Sequence, residues 1–154
     1  MELHHRVNNA LAMVQSLADM TARANADMAS FSDGFLGRMQ AHSRTQTLLA
    51  RHNWSEISVE DLLAMEFAEL EDRSTRMRMA GAQASLASDA GLGLGLALHE
   101  LRRNAEKFRA LSDAQGVVDI SWRLEDEQGF VLDWIETADP KRLRRSVPAW
   151  GCIF

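Results

Sequence analysis

Residues 2–9 read ELHHRVNN and place two histidines side by side in a polar segment. A neutral imidazole is a nucleophile near neutral pH, so either ring could accept a transferred group. Adjacent helical residues point about 100° apart, so His4 and His5 cannot share one role. Glu2 lies three residues before His5 and could orient its ring. A polar helix start explains the same letters, and spacing alone leaves both interpretations open.

A second candidate site lies in residues 97–112, ALHELRRNAEKFRALS. Glu100, Asn104 and Lys107 follow one another at i, i+4 and i+7, which places them on one face of a helix. A carboxylate, a carboxamide and an ammonium on one stripe could hold Mg²⁺ and phosphate oxygens. An ordinary solvated helix face has the same pattern, and the spacing does not decide between the two.

Other motifs that carry chemistry are missing from the sequence. Gly91, Gly93 and Gly95 do not fit G-x-G-x-x-G, and we expect them to allow close packing of a helix start against a sheet. His42 and His52 lie ten residues apart without a cysteine partner, which is not a metal-ligand spacing. No Ser-His-Asp arrangement can be argued from this order of residues.

Composition predicts a globular chain of 154 residues with a real core, because 46 % of its residues are hydrophobic. The net charge of −5 argues against a nucleic-acid binder. The longest apolar stretch, residues 91–98, is too short to span a membrane, and the polar start is unlike a signal peptide. With Cys152 as its single cysteine, the chain cannot form an intramolecular disulfide, and we expect a cytoplasmic protein.

Apolar periodicity predicts two long helices in the first third of the chain, residues 2–24 and about 28–52. A short turn between them predicts an antiparallel hairpin. One hairpin cannot bury its seam well alone, so we expect a homodimer that pairs two hairpins into a four-helix bundle. The alternative is that the second half of the same chain covers the seam.

The pattern changes after Trp54 and predicts an α/β sandwich with helices on one face of a mixed sheet. Ser58 is the predicted N-cap of a first helix, with Asp61 three residues on. A short strand over 82–87 and a helix over 89–111 follow. Two antiparallel strands, GVVDISWRL and FVLDWIE, complete the order helix, strand, helix, strand, strand. We therefore predict an α+β chain with domains at 1–54 and 55–154.

Three separated stretches, ELHHRVNNALAMVQSLA, LALHELRRNAEKFRALS and WIE, resemble the H-box, N-box and W-x-E motif of the HWE family of bacterial sensor histidine kinases. The resemblance covers nearly the whole chain and keeps the family order. It implies a dimerisation and phosphotransfer hairpin followed by an ATP-binding-type sandwich. The phospho-acceptor would be His5, and the partner would be the receiver domain of a response regulator.

The resemblance also implies a nucleotide site. Its predicted residues are His99, Glu100, Asn104, Lys107, Trp134 and Glu136. The N-box Asn104 would hold Mg²⁺ at the ATP phosphates, and Glu100 would serve the chemistry.

The sequence departs from the family pattern at several positions. Asn8 replaces the H-box lysine, and the N-box carries Arg103, Phe108 and Arg109 at positions where the family usually has a small residue or Thr, Tyr, and Gly. After W-x-E the chain reads ETADP, so Ala138 and Asp139 stand where the family usually has two glycines. The later glycine-rich lid segment is not recognisable. We therefore expect a degenerate, C-terminally incomplete ATP-binding half in which ATP and Mg²⁺ bind weakly or not at all.

The leading functional interpretation is histidine phosphotransfer between His5 and a response-regulator aspartate on a histidine-kinase scaffold. Two alternatives remain open at this point. The first is an ATP-dependent sensor histidine kinase with an unusual pocket. The second is a scaffold that binds a regulator or a kinase without phosphoryl chemistry.

Overall fold

The structure is a computed structural model that describes residues 2–25, 27–70, 73–125 and 129–137, without the side chains of residues 2–7 and 73. The chain divides into two compact units between Arg44 and Thr45. Its elements in chain order are α1 (Glu2–Ala24), α2 (Met28–Arg51), β1 (Glu56–Ser58), α3 (Val59–Glu66), α4 (Arg73–Arg76), β2 (Met77–Gly81), β3 (Ser85–Ala87), α5 (Ser88–Phe108), a 3₁₀ turn (Ala110–Ser112), β4 (Val117–Glu125) and β5 (Gly129–Thr137).

Apolar periodicity predicts α1 and α2, and their observed bounds agree with the prediction to within one residue. The first unit contains α1 and residues 28–44 of α2. A buried polar contact joins them. Arg38 on α2 donates from Nη1 to Thr21 Oγ1 on α1 at 2.9 Å, and Thr21 donates in turn to the Leu17 carbonyl one turn earlier. The predicted four-helix bundle and homodimer stay predictions.

Helix α2 begins with a side-chain cap that its sequence supplies. Asp27 lies directly before the helix, and the backbone N–H of Ser30 donates to Asp27 Oδ1 at 2.9 Å. The Ser30 hydroxyl donates to the other carboxylate oxygen at 2.7 Å. The backbone hydrogen bond from Ser30, followed by its side-chain hydrogen bond, lowers the pKa of the Asp27 carboxyl. Asp27 therefore satisfies one of the open N–H groups of the first turn.

The second unit contains two small sheets. In the first, β1 pairs antiparallel with β3, and in the second the order is β2-β4-β5, with β2 parallel and β5 antiparallel to β4. The sequence pattern predicted β3, β4 and β5 but neither β1 nor β2. It predicted one mixed sheet, whereas the described residues form two. Three residues in β1 are too few to show an alternation. The parallel pairing of β2 with β4 requires a crossover, which α5 provides.

Helices α3 and α5 contribute most of the helical core residues of the second unit. Ser58 caps α3 as predicted, because its Oγ accepts the backbone N–H of Asp61 at 3.2 Å. Gly91 and Gly95 lie buried near the start of α5, and a Cβ on them would overlap Ile57 of β1 and Thr45 of α2, respectively. Close packing therefore explains both glycines, as the sequence analysis expected. At Gly91 the neighbour is a strand, whereas at Gly95 it is a helix.

The end of α2 is closed by an unusual backbone segment. Asn53 and Trp54 both have positive φ, 53° and 61°. Asn tolerates this region well, whereas a large residue such as Trp rarely adopts it. The Trp54 N–H donates to the Leu49 carbonyl at 2.9 Å, and Ser88 Oγ donates to the Trp54 carbonyl at 2.5 Å. These two hydrogen bonds hold the left-handed segment beside the first residue of α5.

Candidate functional site

Helix α5 presents two different faces at the predicted nucleotide site. Leu94, Leu98 and Ala105 are buried on one side of the helix. On the opposite side Glu100 is half-buried, while Asn104 and Lys107 are exposed. The predicted placement of Glu100, Asn104 and Lys107 on one face therefore agrees with their burial pattern. A binding role for these three residues stays a prediction.

His99 lies on the buried side of α5 rather than at its surface. Its Nδ1–H donates to Glu66 Oε1 of α3 at 3.1 Å, and the imidazole is 94 % buried. The same carboxylate oxygen accepts from Arg102 Nε at 2.9 Å, and Arg102 Nη1 also donates to Glu106 Oε1 at 3.0 Å. Nε2 of His99 is buried and has no hydrogen-bond partner in the described part of the chain. The hydrogen bond between His99 and Glu66 therefore links α5 to α3.

Trp134 and Glu136, the two named residues of the W-x-E motif, are buried on β5. Trp134 Nε1 donates to Glu136 Oε1 at 3.0 Å, and the backbone N–H of Ala110 donates to Glu136 Oε2 at 3.2 Å. The indole ring packs on Phe67 with centroids 6.0 Å apart. Both carboxylate oxygens therefore accept hydrogen bonds from the chain itself, and one of these bonds joins β5 to the segment that follows α5.

Arg76, the last residue of α4, binds the same segment. Its Nε donates to the Gly116 carbonyl at 3.1 Å, and its Nη2 donates to the Ala110 carbonyl at 3.2 Å and to the Asp113 carbonyl. One planar guanidinium thus satisfies three carbonyl groups of a turn. The backbone that continues the N-box is held by a side chain far from it in sequence.

The departures within the N-box fit this local structure. Arg109 follows the last residue of α5 with φ −138° and ψ −144°, outside the left-handed region. The backbone therefore does not require the glycine that the related motif usually carries here. The Arg109 side chain is exposed, and Phe108 beside it is 77 % exposed.

The predicted phospho-acceptor lies on α1, whose backbone is helical from Glu2. The side chains of Glu2, His4 and His5 lie outside the description, so the predicted orienting contact between Glu2 and His5 stays a prediction. Asn8, which replaces the family lysine, is exposed on the same helix. Ala138, Asp139 and Cys152 belong to residues 138–154, which also lie outside the described residues.

The residues on the exposed side of α5 fit the chemistry of Mg²⁺ and phosphate. Glu100 and Asn104 carry carboxylate and carboxamide oxygens one turn apart, with the Glu100 Oε1 atom buried, and Lys107 adds a positive charge one turn further on. The W-x-E pair fits less well as direct ligands, because both oxygens of Glu136 already accept hydrogen bonds. Among the described residues, no cluster of three or more His, Cys, Asp or Glu side chains is placed to hold a metal ion.

Sequence reasoning missed Glu66 and Arg76. Glu66 has a recognisable signal, because it follows Leu62 by four residues and so lies on the apolar face of α3. A charged residue in that position is buried only with a partner. Arg76 has no comparable signal, because several similar arginines surround it in the sequence and only the fold brings it to Ala110.

The comparisons with known proteins agree with this fold. A sequence model of the HWE histidine kinase family matches residues 2–83, more than half of the chain. This chain belongs to the HWE histidine kinase family.

Individual relatives cover more of the chain. Blue-light-activated histidine kinase of Brucella ovis is 30 % identical over 154 residues, which cover 97 % of this chain and 32 % of the relative. The protein of the same description from Brucella anthropi is 32 % identical over 143 residues, or 90 % of this chain and 29 % of the relative. The chain thus spans about a third of the length of these curated relatives.

A solved structure shows the same fold. The Erythrobacter litoralis EL346 blue-light activated histidine kinase superposes with a TM-score of 0.66 over 90 % of this chain and 46 % of that chain. At 12 % sequence identity, this likeness concerns the fold alone. Among the described residues, no helix combines the length and the apolar character that crossing a bilayer requires.

Proposed function

We propose that this chain carries the phosphotransfer function of a two-component signalling protein, with His5 as the residue that accepts and donates the phosphoryl group. The observation that carries this proposal is the position of His5 in the first turns of α1, inside the segment that matches the HWE histidine kinase family. The partner is the receiver domain of a response regulator.

The transfer is a displacement at phosphorus. One ring nitrogen of His5 attacks the phosphorus of a regulator aspartyl phosphate, an N–P bond forms, the acyl O–P bond breaks, and the aspartate leaves as a carboxylate. The reverse step returns the phosphoryl group to an aspartate. The regulator contributes its own acidic pocket and Mg²⁺, so the chain needs only an accessible imidazole.

Use of ATP by this chain is weak in our proposal. Three of the six predicted nucleotide-site residues are buried and hydrogen-bonded within the fold, namely His99, Trp134 and Glu136. Fewer side chains therefore remain to contact a nucleotide. Glu100, Asn104 and Lys107 would hold the Mg²⁺ and phosphate groups. A bound ATP would supply the phosphoryl group for His5.

We further infer that the chain acts as a cytoplasmic homodimer. Leu11 and Leu36, on α1 and α2, are more than half exposed, and Met28 is 80 % exposed. These exposed apolar side chains form a surface that a second helical hairpin would cover in a dimer. Sedimentation equilibrium measures this directly, and a monomer at micromolar concentration would contradict the dimer.

Transfer from a phosphorylated receiver domain tests the proposed function. A receiver domain carrying radiolabelled aspartyl phosphate is mixed with the unaltered chain, His5→Ala and the matched control His4→Ala. We expect acid-labile label on the unaltered chain and on His4→Ala, and none on His5→Ala. Label on all three chains would place the acceptor elsewhere. If none of the three chains is labelled but the receiver domain still binds, the chain would act as a scaffold without phosphoryl chemistry.

A second candidate function, ATP-dependent kinase activity, is favoured by the shared exposed face of Asn104 and Lys107. Radiolabelled ATP with Mg²⁺ distinguishes the two. Label on His5 that is lost in Asn104→Ala would establish kinase activity. Absence of label, with transfer from the receiver domain retained, would restrict the chain to phosphotransfer.

A further inference from the structure

Both backbone polar groups of Ala110 are hydrogen-bonded by side chains, one from the end of α4 and one from β5. Its N–H donates to Glu136 on β5, and its carbonyl accepts from Arg76, which directly precedes β2. In the three-stranded sheet, β2 and β5 lie on opposite sides of β4. The two side chains therefore hold the α5–β4 connection (residues 109–116) from both flanks.

The α5–β4 connection is closely packed as well as hydrogen-bonded. Ala110 is fully buried, and a Cβ on Gly116 would overlap the Ala110 backbone carbonyl. The Gly116 N–H donates to the Asp113 carbonyl at 3.2 Å, which closes the turn. Because backbone rather than a flexible side chain occupies this space, a shift of the connection cannot be absorbed locally.

The α5–β4 connection continues directly from the end of α5 that carries the exposed polar residues. Lys107 and Asn104 lie one and four residues before Phe108, where the helix ends. The Arg109 N–H donates to the Ala105 carbonyl at 3.2 Å and so continues the helical hydrogen bonding into the connection. The orientation of the last helical turn is therefore coupled to the position of Ala110.

We propose that Arg76, Trp134 and Glu136 are positioning residues that set the end of α5, and with it Asn104 and Lys107, for binding nucleotide phosphates. This inference rests on the nucleotide-binding part of the proposed function, because it concerns the residues that would face the nucleotide phosphates. Glu136 acts through the Ala110 N–H, and Trp134 acts through its own hydrogen bond to Glu136. Arg76 acts through the Ala110, Asp113 and Gly116 carbonyls. None of the three contacts the nucleotide.

Two readouts on the full chain test this inference, amide exchange at Ala110 and calorimetric affinity for Mg·ADP. Glu136→Gln leaves one carbonyl oxygen to accept from the Ala110 N–H and the Trp134 indole. Trp134→Phe removes the indole N–H but keeps an aromatic ring against Phe67. Arg76→Lys replaces the planar guanidinium with a single ammonium group. Glu125→Gln and Arg78→Lys are matched controls, because their side chains lie exposed on the same sheet. The Ala110 N–H donates to a charged carboxylate, which Glu136→Gln replaces with a neutral amide. We therefore expect the Ala110 amide to exchange about tenfold faster or more in this variant.

We expect a loss of Mg·ADP affinity in the order Glu136→Gln and Arg76→Lys, then Trp134→Phe, with both controls unchanged. Unchanged Ala110 exchange in Glu136→Gln would overturn the inference, and so would faster exchange with unchanged affinity. Lost affinity with unchanged exchange would make Glu136 a direct ligand. Absence of Mg·ADP binding by the unaltered chain would also overturn the positioning role, whereas transfer between His5 and the receiver domain, measured separately, would still decide the proposed function.

Discussion

Glu66 and His99 form a hydrogen bond of 3.1 Å between α3 and α5, in the interior of the second unit. Glu66 is only 4 % exposed, and its Oε1 also accepts a hydrogen bond from Arg102. A buried carboxylate is tolerated when a cation and hydrogen-bond donors compensate its lost hydration. The contact therefore fixes which face of α5 points inward, and so which residues of that helix remain outside.

Removing the Glu66 carboxylate is expected to destabilise the fold strongly. In Glu66→Ala, Arg102 loses its buried counter-charge and His99 Nδ1 loses its acceptor, which predicts a loss of about 3–5 kcal/mol in the free energy of unfolding. Urea unfolding followed by circular dichroism measures this. The control Glu106→Gln changes a more exposed pair to Arg102, and we expect a change of about 0.5 kcal/mol or less. Equal losses in both variants would contradict the assignment.

Two substitutions at His99 separate the role of Nδ1 from that of the ring. His99→Asn places an amide donor close to the position of Nδ1, whereas His99→Gln carries its amide further from the backbone, near Nε2. Because the contact with Glu66 uses Nδ1, we expect Asn to retain more stability than Gln, by about 1 kcal/mol. The midpoints of urea unfolding give the comparison. A more stable His99→Gln would show that Nε2 carries the interaction.

Thr21 offers a similar test in the first unit. Thr21→Val keeps the shape of the side chain but removes the hydroxyl that accepts from the buried Arg38. We expect a loss of about 1–3 kcal/mol, because this donor is charged. Thr21→Ser retains the hydroxyl and serves as the control, with a smaller loss from the missing methyl group. Thermal unfolding of the two variants measures the difference, and equal stabilities would show that the hydroxyl contact contributes nothing.

Gly95 and Gly34 are both helical, yet alanine should affect them differently. Alanine gains about 1 kcal/mol of helix propensity over glycine at either position. A Cβ at Gly95 would overlap Thr45, whereas the nearest atom to a Cβ at Gly34, Thr21 Cγ2, would lie 3.2 Å away, with two further side-chain atoms at 3.3 Å. We expect Gly95→Ala to lose about 1–3 kcal/mol from overpacking, and Gly34→Ala to change little. Equal unfolding midpoints would contradict the close packing of Gly95 against Thr45.

His42 predicts a pH dependence of stability. Partial burial lowers the pKa of His42 below its ordinary value of 6.5, because desolvation disfavours the charged ring. Between the folded and unfolded pKa values the unfolded chain binds more protons, so stability falls as the pH drops below about 6.5. His42→Asn should reduce this slope. Urea midpoints at about pH 7.5 and pH 5.5 test it, and an NMR midpoint for His42 at or above 6.5 would contradict it.

The long elements could be predicted from the sequence because each shows its periodicity over many residues. Helices α1 and α2 carry apolar residues at steps of three and four over more than twenty residues each. Strand β4 buries alternate residues from Val118 to Trp122, and β5 does so at Trp134 and Glu136. Strand β1 is too short for such a pattern. Strand β2 exposes most of its residues, so its sequence lacks the apolar half of an alternation.

The candidate site could be predicted in part. The spacing of Glu100, Asn104 and Lys107 gave their shared face correctly, since helical geometry alone determines it. The buried contacts of His99 and Glu136 could not be derived in this way. Their partners, Glu66 and Ala110, lie 33 and 26 residues away in sequence, and only the packing of α3, α5 and β5 brings them together.

The hydrogen bonds of Arg76 and Glu136 to Ala110 also have a consequence for the order in which the chain folds. Arg76 reaches Ala110 across 34 residues of sequence and Glu136 across 26, so neither bond can form until the strands beside them have joined β4. Closing such loops costs conformational entropy before the contact stabilises the chain, so we expect both bonds to be weak in the folding transition state. We therefore expect the α5–β4 connection to order late, so that weakening its hold speeds unfolding and leaves the folding rate nearly unchanged.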